Sequence, residues 1–426
     1  MAKNKVTKLI EVKITSLGAQ GDGVGEHEGV PVFVPSTAAG DTVRAEIGEK
    51  KKNGYYGSLL EIIAASPDRA EPVCQHFEKC GGCQLQFLKP EAYSDWVAER
   101  AVSSLAHQGV SVSKVLDPVI CKSQSRRRVS LKALNLPGRL LLGFNERQSH
   151  QLVDVRECPV TCGEIVALLP ALRVALQGVL KLRMNADVHL TLTDTGIDMV
   201  VDAAMELDLK ARERLVDFAN SNDVAAIHWR DQGFLDPVII RREPMMDFSG
   251  IRVPLLPAAF IQATAEGEAA LVHHVVATCE GFGRVADLFC GMGTFTFPLA
   301  KVHQTLAVEG SKQPLDALKA GLNQAKGLKQ VIPLHRDLYR RPMTAEELSS
   351  FDVVVFDPPR AGAKEQAVEL ARSEVKNIVA VSCNPNSFAR DAKILKEGGY
   401  QLDSLLPVDQ FLWSPHLELI GVFTRN

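Results

Sequence analysis

The chain has no apolar run of the ~18 residues that a membrane-crossing helix requires, so no membrane partner is expected. It has no net basicity either. Its 48 Lys and Arg stand against 51 Asp and Glu, a formal charge of −3, so bulk charge does not advertise a polyanionic partner. Internal repeats and low-complexity tracts are absent, which sets aside solenoids and disordered tails. The opening stretch "MAKNKVTKLIEV" lacks a signal-peptide core. A cytoplasmic location is therefore expected, and the nine cysteines are read as thiols or ligands rather than disulfides. Two phosphate-binding fingerprints are also missing: no G-x-x-x-x-G-K-[ST] occurs, and the one glycine turn that opens a helix lacks the full G-x-G-x-x-G.

What is present is ordinary globular material: 426 residues, 46% hydrophobic and 23% charged, enough for two or three domains. Positive charge is local, in "EKKKNGYYG" (49–57) and "SQSRRRVSLK" (123–132). Residues 1–64 read as a small β-barrel, because short strand-like runs are punctuated closely by Gly, Pro and Asp. Tyr55 and Tyr56 beside the Lys50–Lys52 run would suit stackable bases on a charged backbone. Residues 65–250 begin with "ASPDRAEP" and a cysteine cluster, continue with a helix over roughly 89–107, and then mix strands with helices. Residues 251–426 alternate strand and helix regularly, which predicts an α/β, doubly wound, Rossmann-like parallel sheet.

The carboxyl ends of that sheet's strands carry ligand-type groups. "RVADLFCGMGTF" feeds a strand through Gly291 and Gly293 into a helix, and "QTLAVEG" ends on Glu309, placed to accept both hydroxyls of a ribose. "PLHRDLY" puts Asp337 where an adenine edge could be read, and "FDVVVFDPPR" ends in Asp357. An adenosine without phosphates fits these groups, which points to S-adenosylmethionine. A fifth apolar run, "NIVAVSC", ends on Cys383. A thiol at that edge is either a small packing residue or a nucleophile.

Three stretches resemble the RNA uracil-5-methyltransferase family: "DLFCGMGTFTFPLA" (287–300), "DPPRAGA" (357–363) and "SCNPNSFARD" (382–391). The likeness extends over the whole chain, and residues 6–64 are similar to the TRAM domain, an RNA-binding barrel. The resemblance implies that Cys383 adds to carbon 6 of uracil and that Glu418, in "SPHLELI", removes the carbon 5 proton. It implies cofactor contacts from Phe289, Thr294 and Gln262 of "AAFIQAT", and a place for Asp357 beside the uracil. Thr264 stands where the family has Asn, and Ser125 where it often has an aromatic before the arginines. Arg126, Arg127 and Arg128 are expected to meet RNA phosphates.

Cys74, Cys80 and Cys83 form C-x5-C-x2-C, a metal-ligand spacing that zinc and iron–sulfur share. Cys158 and Cys162 in "ECPVTC" are both candidates for a fourth ligand. The resemblance favours Cys158 and a four-iron four-sulfur cluster with a structural role. Cys121, Cys279 and Cys290 are read as packing residues. The expected protein is a monomeric enzyme acting on structured RNA, with 23S rRNA favoured over tRNA.

Overall fold

The computed structural model describes residues 7–147 and 149–425, so the first six residues of the expected barrel segment lie outside it. Apolar residues alternate in "KLIEVKITSL" and turn inward one by one, as a half-buried strand requires. Strands Lys8–Leu17, Gly23–His27, Val30–Val34, Thr42–Ile47 and Tyr55–Ala64 close a barrel in the order first, second, third, fifth, fourth. Ile10, Val12, Ile14, Val32, Val34, Val43, Ala45 and Ile47 fill it. The same alternation separates the two tyrosines. Tyr55 packs against the barrel core, while Tyr56 is exposed, stacked on Phe33 at 5.2 Å with the Lys51 ammonium 4.8 Å from its ring centroid.

The central segment forms a seven-stranded sheet, antiparallel except where Gly196–Asp202 runs parallel to Ala226–Asp231. Helices Gly163–Val179 and Leu209–Ser221 cover one face, burying Leu172, Leu176 and Leu215 against Leu190, Met199 and Ile227.

The last segment carries a nine-stranded sheet. Strands Val331–His335, Gln304–Glu309, Arg284–Leu288, Val353–Phe356 and Asn377–Ser382 are parallel neighbours in that order. The chain builds outward from Arg284–Leu288 to one side, then returns to its other side with Val353–Phe356. That reversal opens a crevice at the carboxyl edge, where open α/β sheets hold ligands. Strands read as continuous apolar runs, such as "VVVF", because helices cover both faces.

Two stretches assigned by sequence to the central segment are structurally part of this sheet. Helix Pro90–His107 buries Tyr93, Trp96, Val97, Ala101 and Leu105 in the same core as Phe388, Ala392, Leu395 and Leu402. Strand Val112–Val115 then pairs in parallel with Gln401–Asp409. The helix has one apolar face, and residues 65–250 cover it only in part, through Phe77, Leu85, Phe87 and Leu88. The boundary expected at 250/251 also falls inside a hairpin, Met245–Phe248 with Ile251–Pro254, whose Met246, Phe248 and Val253 pack on Phe297 and Leu318.

A buried polar network ties these pieces together. Tyr93 donates its hydroxyl hydrogen to Asp409 Oδ2 at 2.7 Å and accepts the Trp413 amide at 2.7 Å. The Trp413 carbonyl accepts the amides of Gln84 and Leu85 at 2.7 and 3.1 Å, next to the cysteine cluster. Tyr93→Phe strips the Asp409 carboxyl of its hydroxyl donor. It should lower the unfolding free energy by about 1–3 kcal/mol in urea titrations; an unchanged midpoint would mean the carboxyl finds another donor.

Candidate active site

Cys383 follows directly on the strand Asn377–Ser382. Its neighbour Asn384 stops the strand and caps the helix Pro385–Glu397, accepting the Asn386 amide at 3.1 Å. The same side chain donates from Nδ2 to the Arg360 carbonyl at 3.0 Å, joining the Cys383 turn to the Asp357–Arg360 turn. Pro385 sits at the first turn of the helix, where a missing amide hydrogen costs nothing. The thiol is thereby held at the carboxyl edge of the sheet.

Asp357 follows the adjacent strand Val353–Phe356, and its amide donates to the Leu288 carbonyl at 3.2 Å. Glu418 reaches the same edge from the opposite direction. It opens the strand Glu418–Thr424, which is antiparallel to Asn377–Ser382 in a register that sets Leu419 against Ser382. Glu418 therefore lies one step beyond, level with Cys383.

A cavity of about 760 Å³ lies along this edge. Gln262, Phe289, Thr294, Glu309, Asp337, Asp357, Cys383 and Glu418, the residues picked out from sequence, all line it. Its glycine turn needs special backbone: Gly291 and Gly293 have φ of 55° and 106°, and a Cβ on Gly293 would stand 2.5 Å from the Phe297 ring. Glu309 is oriented by the amides of Gly291 and Ser311 at 3.0 and 2.7 Å. Asp337 Oδ1 accepts the amides of Tyr339 and Arg340 at 3.0 and 3.3 Å, so it shapes its own turn while facing the cavity. The Phe289 and Tyr339 rings lie 5.5 Å apart on the wall. Gln262 is buried and accepts the Gln410 amide at 2.8 Å. Thr264 does not face this cavity: it caps helix Ala265–Thr278 through the Gly267 amide, which accounts for a hydroxyl where the family has an amide. The donor set suits adenosine carrying a sulfonium: carboxylates for hydroxyls and for a cation, and aromatic rings for a base.

Burial dominates the proton chemistry. It pushes the Cys383 thiol up to about 12, helped by the charges of Glu418 and Asp357 and opposed by Arg360. Burial also holds both carboxyls above the usual carboxylate range, and the Asp357 charge raises Glu418 further. A cation placed beside these groups favours their ionised forms.

A second cavity, about 450 Å³, shares Arg128, Phe260, Arg360, Cys383 and Glu418 with the first. Cys74, Cys80, Cys83 and Cys158 line it together. Cys162, the alternative fourth ligand, is buried in the central core instead. The Gly82 amide donates to Cys80 Sγ at 3.4 Å, a bond that favours its thiolate, and the Thr161 hydroxyl donates to Cys158 Sγ at 3.2 Å. Gln86 accepts the Cys74 amide at 3.1 Å, while its buried Nε2, on the same cavity, has no protein partner. Among the described residues no three His, Cys, Asp or Glu side chains stand close enough to hold a single metal ion. Of the three remaining cysteines, Cys279 packs in the core and Cys121 contacts the Thr264 hydroxyl at 3.1 Å. Cys290 is buried but also reaches the cofactor cavity wall.

Sequence reasoning did not single out Phe260, Tyr339 or Arg360, although each lies in a stretch read for a neighbouring residue. The arginine run divides. Arg127 forms a 2.6 Å ion pair with Glu268, both about 12% exposed, and does not line either cavity. Arg126 and Arg128 do line the second.

Comparison with known proteins bears on this site directly. Residues 252–426 match the family described as tRNA (Uracil-5-)-methyltransferase, and residues 3–60 match the TRAM domain. An uncharacterized RNA methyltransferase of Caulobacter vibrioides is 43% identical, covering 97% of this chain and 100% of its own. The 23S rRNA (uracil(1939)-C(5))-methyltransferase RlmD of Yersinia enterocolitica is 34% identical over 98% of this chain and 96% of its own. The solved structure of Pyrococcus abyssi tRNA (uracil-54, C5)-methyltransferase with S-adenosyl-L-homocysteine superposes with a TM-score of 0.74, covering 97% of this chain and 99% of that one at 23% identity. The chain belongs to the S-adenosylmethionine-dependent RNA uracil-5-methyltransferases and carries a TRAM domain at its front.

Proposed function

We propose that this protein methylates carbon 5 of a uridine in 23S rRNA through a covalent adduct with Cys383. One observation carries the reading: Cys383 and Glu418 stand on the wall between two cavities, so a base entering from one side meets a methyl donor held on the other. The likeness to the Yersinia enterocolitica enzyme over nearly the whole chain favours rRNA over tRNA.

S-adenosylmethionine, when bound, supplies the methyl group on a positively charged sulfur. Glu309, Asp337, Gln262, Thr294 and the Phe289–Tyr339 pair would hold its adenosine end. The Cys383 sulfur adds to carbon 6 of the uracil, and the ring's electron pair moves to carbon 5 as an enolate. Carbon 5 takes the methyl group and becomes tetrahedral. Glu418 removes the remaining carbon 5 proton, the carbon 5–carbon 6 double bond re-forms, and the thiolate leaves. Asp357, beside both groups, orients the uracil ring. The target base would be flipped out of its stack to reach the thiol.

Cys383→Ala should abolish both methylation and any RNA adduct. Glu418→Gln should still add and methylate, then stall as a methylated covalent complex that survives denaturing electrophoresis. Turnover of tritiated methyl groups and a retarded labelled band read the two variants. Near-normal turnover in Glu418→Gln would move the base role to another carboxylate, with Asp357 first. Mass mapping of 5-methyluridine in rRNA and tRNA from a deletion strain tests the substrate; loss of the mark from tRNA alone would reject the rRNA assignment.

The pH dependence follows from the same groups. The thiol must lose its proton to add, and Glu418 must be ionised to accept one. Both are held protonated by burial, so the single-turnover rate should rise with pH between about 6 and 9. A bell centred on the ordinary carboxylate range would contradict this.

We also assign Cys74, Cys80, Cys83 and Cys158 as ligands of a four-iron four-sulfur cluster with a structural role. Their shared cavity, the donors to Cys80 and Cys158, and the unpartnered Gln86 amide support the set. Anaerobically prepared protein should be brown and hold about four irons. Cys158→Ser should lose them and Cys162→Ser should keep them. One zinc in a colourless protein would overturn the assignment.

A further inference from the structure

Arg126 and Arg128 are two residues apart on extended backbone, so their side chains leave the same face while Arg127 leaves the other. The backbone there is pinned on several sides. Arg126 bridges to both Thr161 and Thr264, the Arg127 amide donates to the Ala263 carbonyl at 2.9 Å, and Arg128 opens the strand paired with Thr191. Each guanidinium is laid on an aromatic ring. Arg126 Cζ lies 5.3 Å from the Phe411 centroid and Arg128 Cζ 4.8 Å from the Phe260 centroid. Arg126 spends Nε on the Arg128 carbonyl at 3.0 Å. Among the described residues neither makes an ion pair, whereas Arg127 between them is paired with Glu268.

Half-buried cations with no carboxylate partner are costly, and burial works against the charge of both, offset at Arg126 by the facing Cys158 and Cys83. Two such groups, fixed in direction and facing one cavity, form a receptor for anions. Their Cα atoms lie about 6–7 Å apart along the extended strand, a separation of the order of that between consecutive backbone phosphates. Arg128 touches both cavities beside Cys383, and Arg126 lies in the second cavity only.

We propose that Arg126 and Arg128 clamp the two backbone phosphates adjoining the uridine delivered to Cys383, with Arg127 serving only to hold the strand through Glu268. This rests on the methylation reading above, yet it is measured by binding alone. The probe is a short fluorescein-labelled RNA with a single uridine, titrated with the full-length protein and S-adenosylhomocysteine at several salt concentrations, and followed by anisotropy. Arg126→Gln and Arg128→Gln should each flatten the log–log salt slope by about 0.7, and the double variant by about 1.4. Arg127→Gln should leave the slope unchanged. Replacing the two phosphates beside the uridine with uncharged methylphosphonates should weaken the wild type to the level of the double variant and leave the double variant unaffected. An unchanged slope in a folded double variant would overturn the clamp, as would equal losses from all three arginines. Loss of the visible absorption in Arg126→Gln with an unchanged slope would assign Arg126 to the cysteine ligands and defeat the two-point clamp. A methylated uridine together with unaltered slopes would defeat the clamp while leaving the methylation reading intact.

Discussion

Glu418 comes level with Cys383 because the strand Glu418–Thr424 runs against its parallel neighbours. In a parallel sheet every strand delivers its carboxyl end to one edge, and the residue after each strand can face a ligand there. Phe289, Glu309, Asp337, Asp357 and Cys383 all arrive that way. An antiparallel strand presents its first residue at that edge instead. Glu418 therefore enters the site at the start of its strand and Cys383 just past the end of the adjacent one. Any slip of this register by one residue would turn Glu418 to the other face of the sheet.

Low solvent exposure then sets the chemistry of the three groups at the meeting point. Burial raises both carboxyls and the thiol, and neighbouring carboxylate charge raises Glu418 and Cys383 further. All three shifts at this site run toward the protonated form. A sulfonium beside it changes the balance by Coulomb attraction in a medium of low dielectric. On this account a bound methyl donor would favour the thiolate of Cys383, the nucleophile proposed above.

The cysteine segment and the barrel lie against this edge by specific ties. Gln84 and Leu85 are bonded to Trp413, in the loop that leads to Glu418, and Tyr93 joins that loop to the long helix. The Gly81 amide donates to the Asn145 carbonyl at 3.0 Å, Arg147 pairs with Asp22 of the barrel, and Trp96 donates to the Gly18 carbonyl at 3.3 Å. A cluster held by these cysteines would brace the wall of the cavity through which the proposed RNA enters. Its proposed role is one of shape, since methyl transfer by this route moves no single electrons.

The local signals were legible in the sequence. Apolar alternation marked the barrel, uninterrupted apolar runs marked the parallel strands, and the Gly, Glu, Asp and Cys at the strand ends marked the site, because these depend only on neighbours along the chain. Resemblance to known relatives supplied Gln262 and Glu418, which no local pattern distinguishes from a loop amide and a strand acid. Long-range pairing stayed hidden. Nothing in residues 90–115 announces that they join a sheet through a strand about 290 residues later, and nothing in "SRRR" says that the middle arginine is neutralised by Glu268. The sequence by itself determined which residues could serve; the tertiary structure decided which of them meet, because burial, ion pairing and the direction of a strand arise only when distant segments pack.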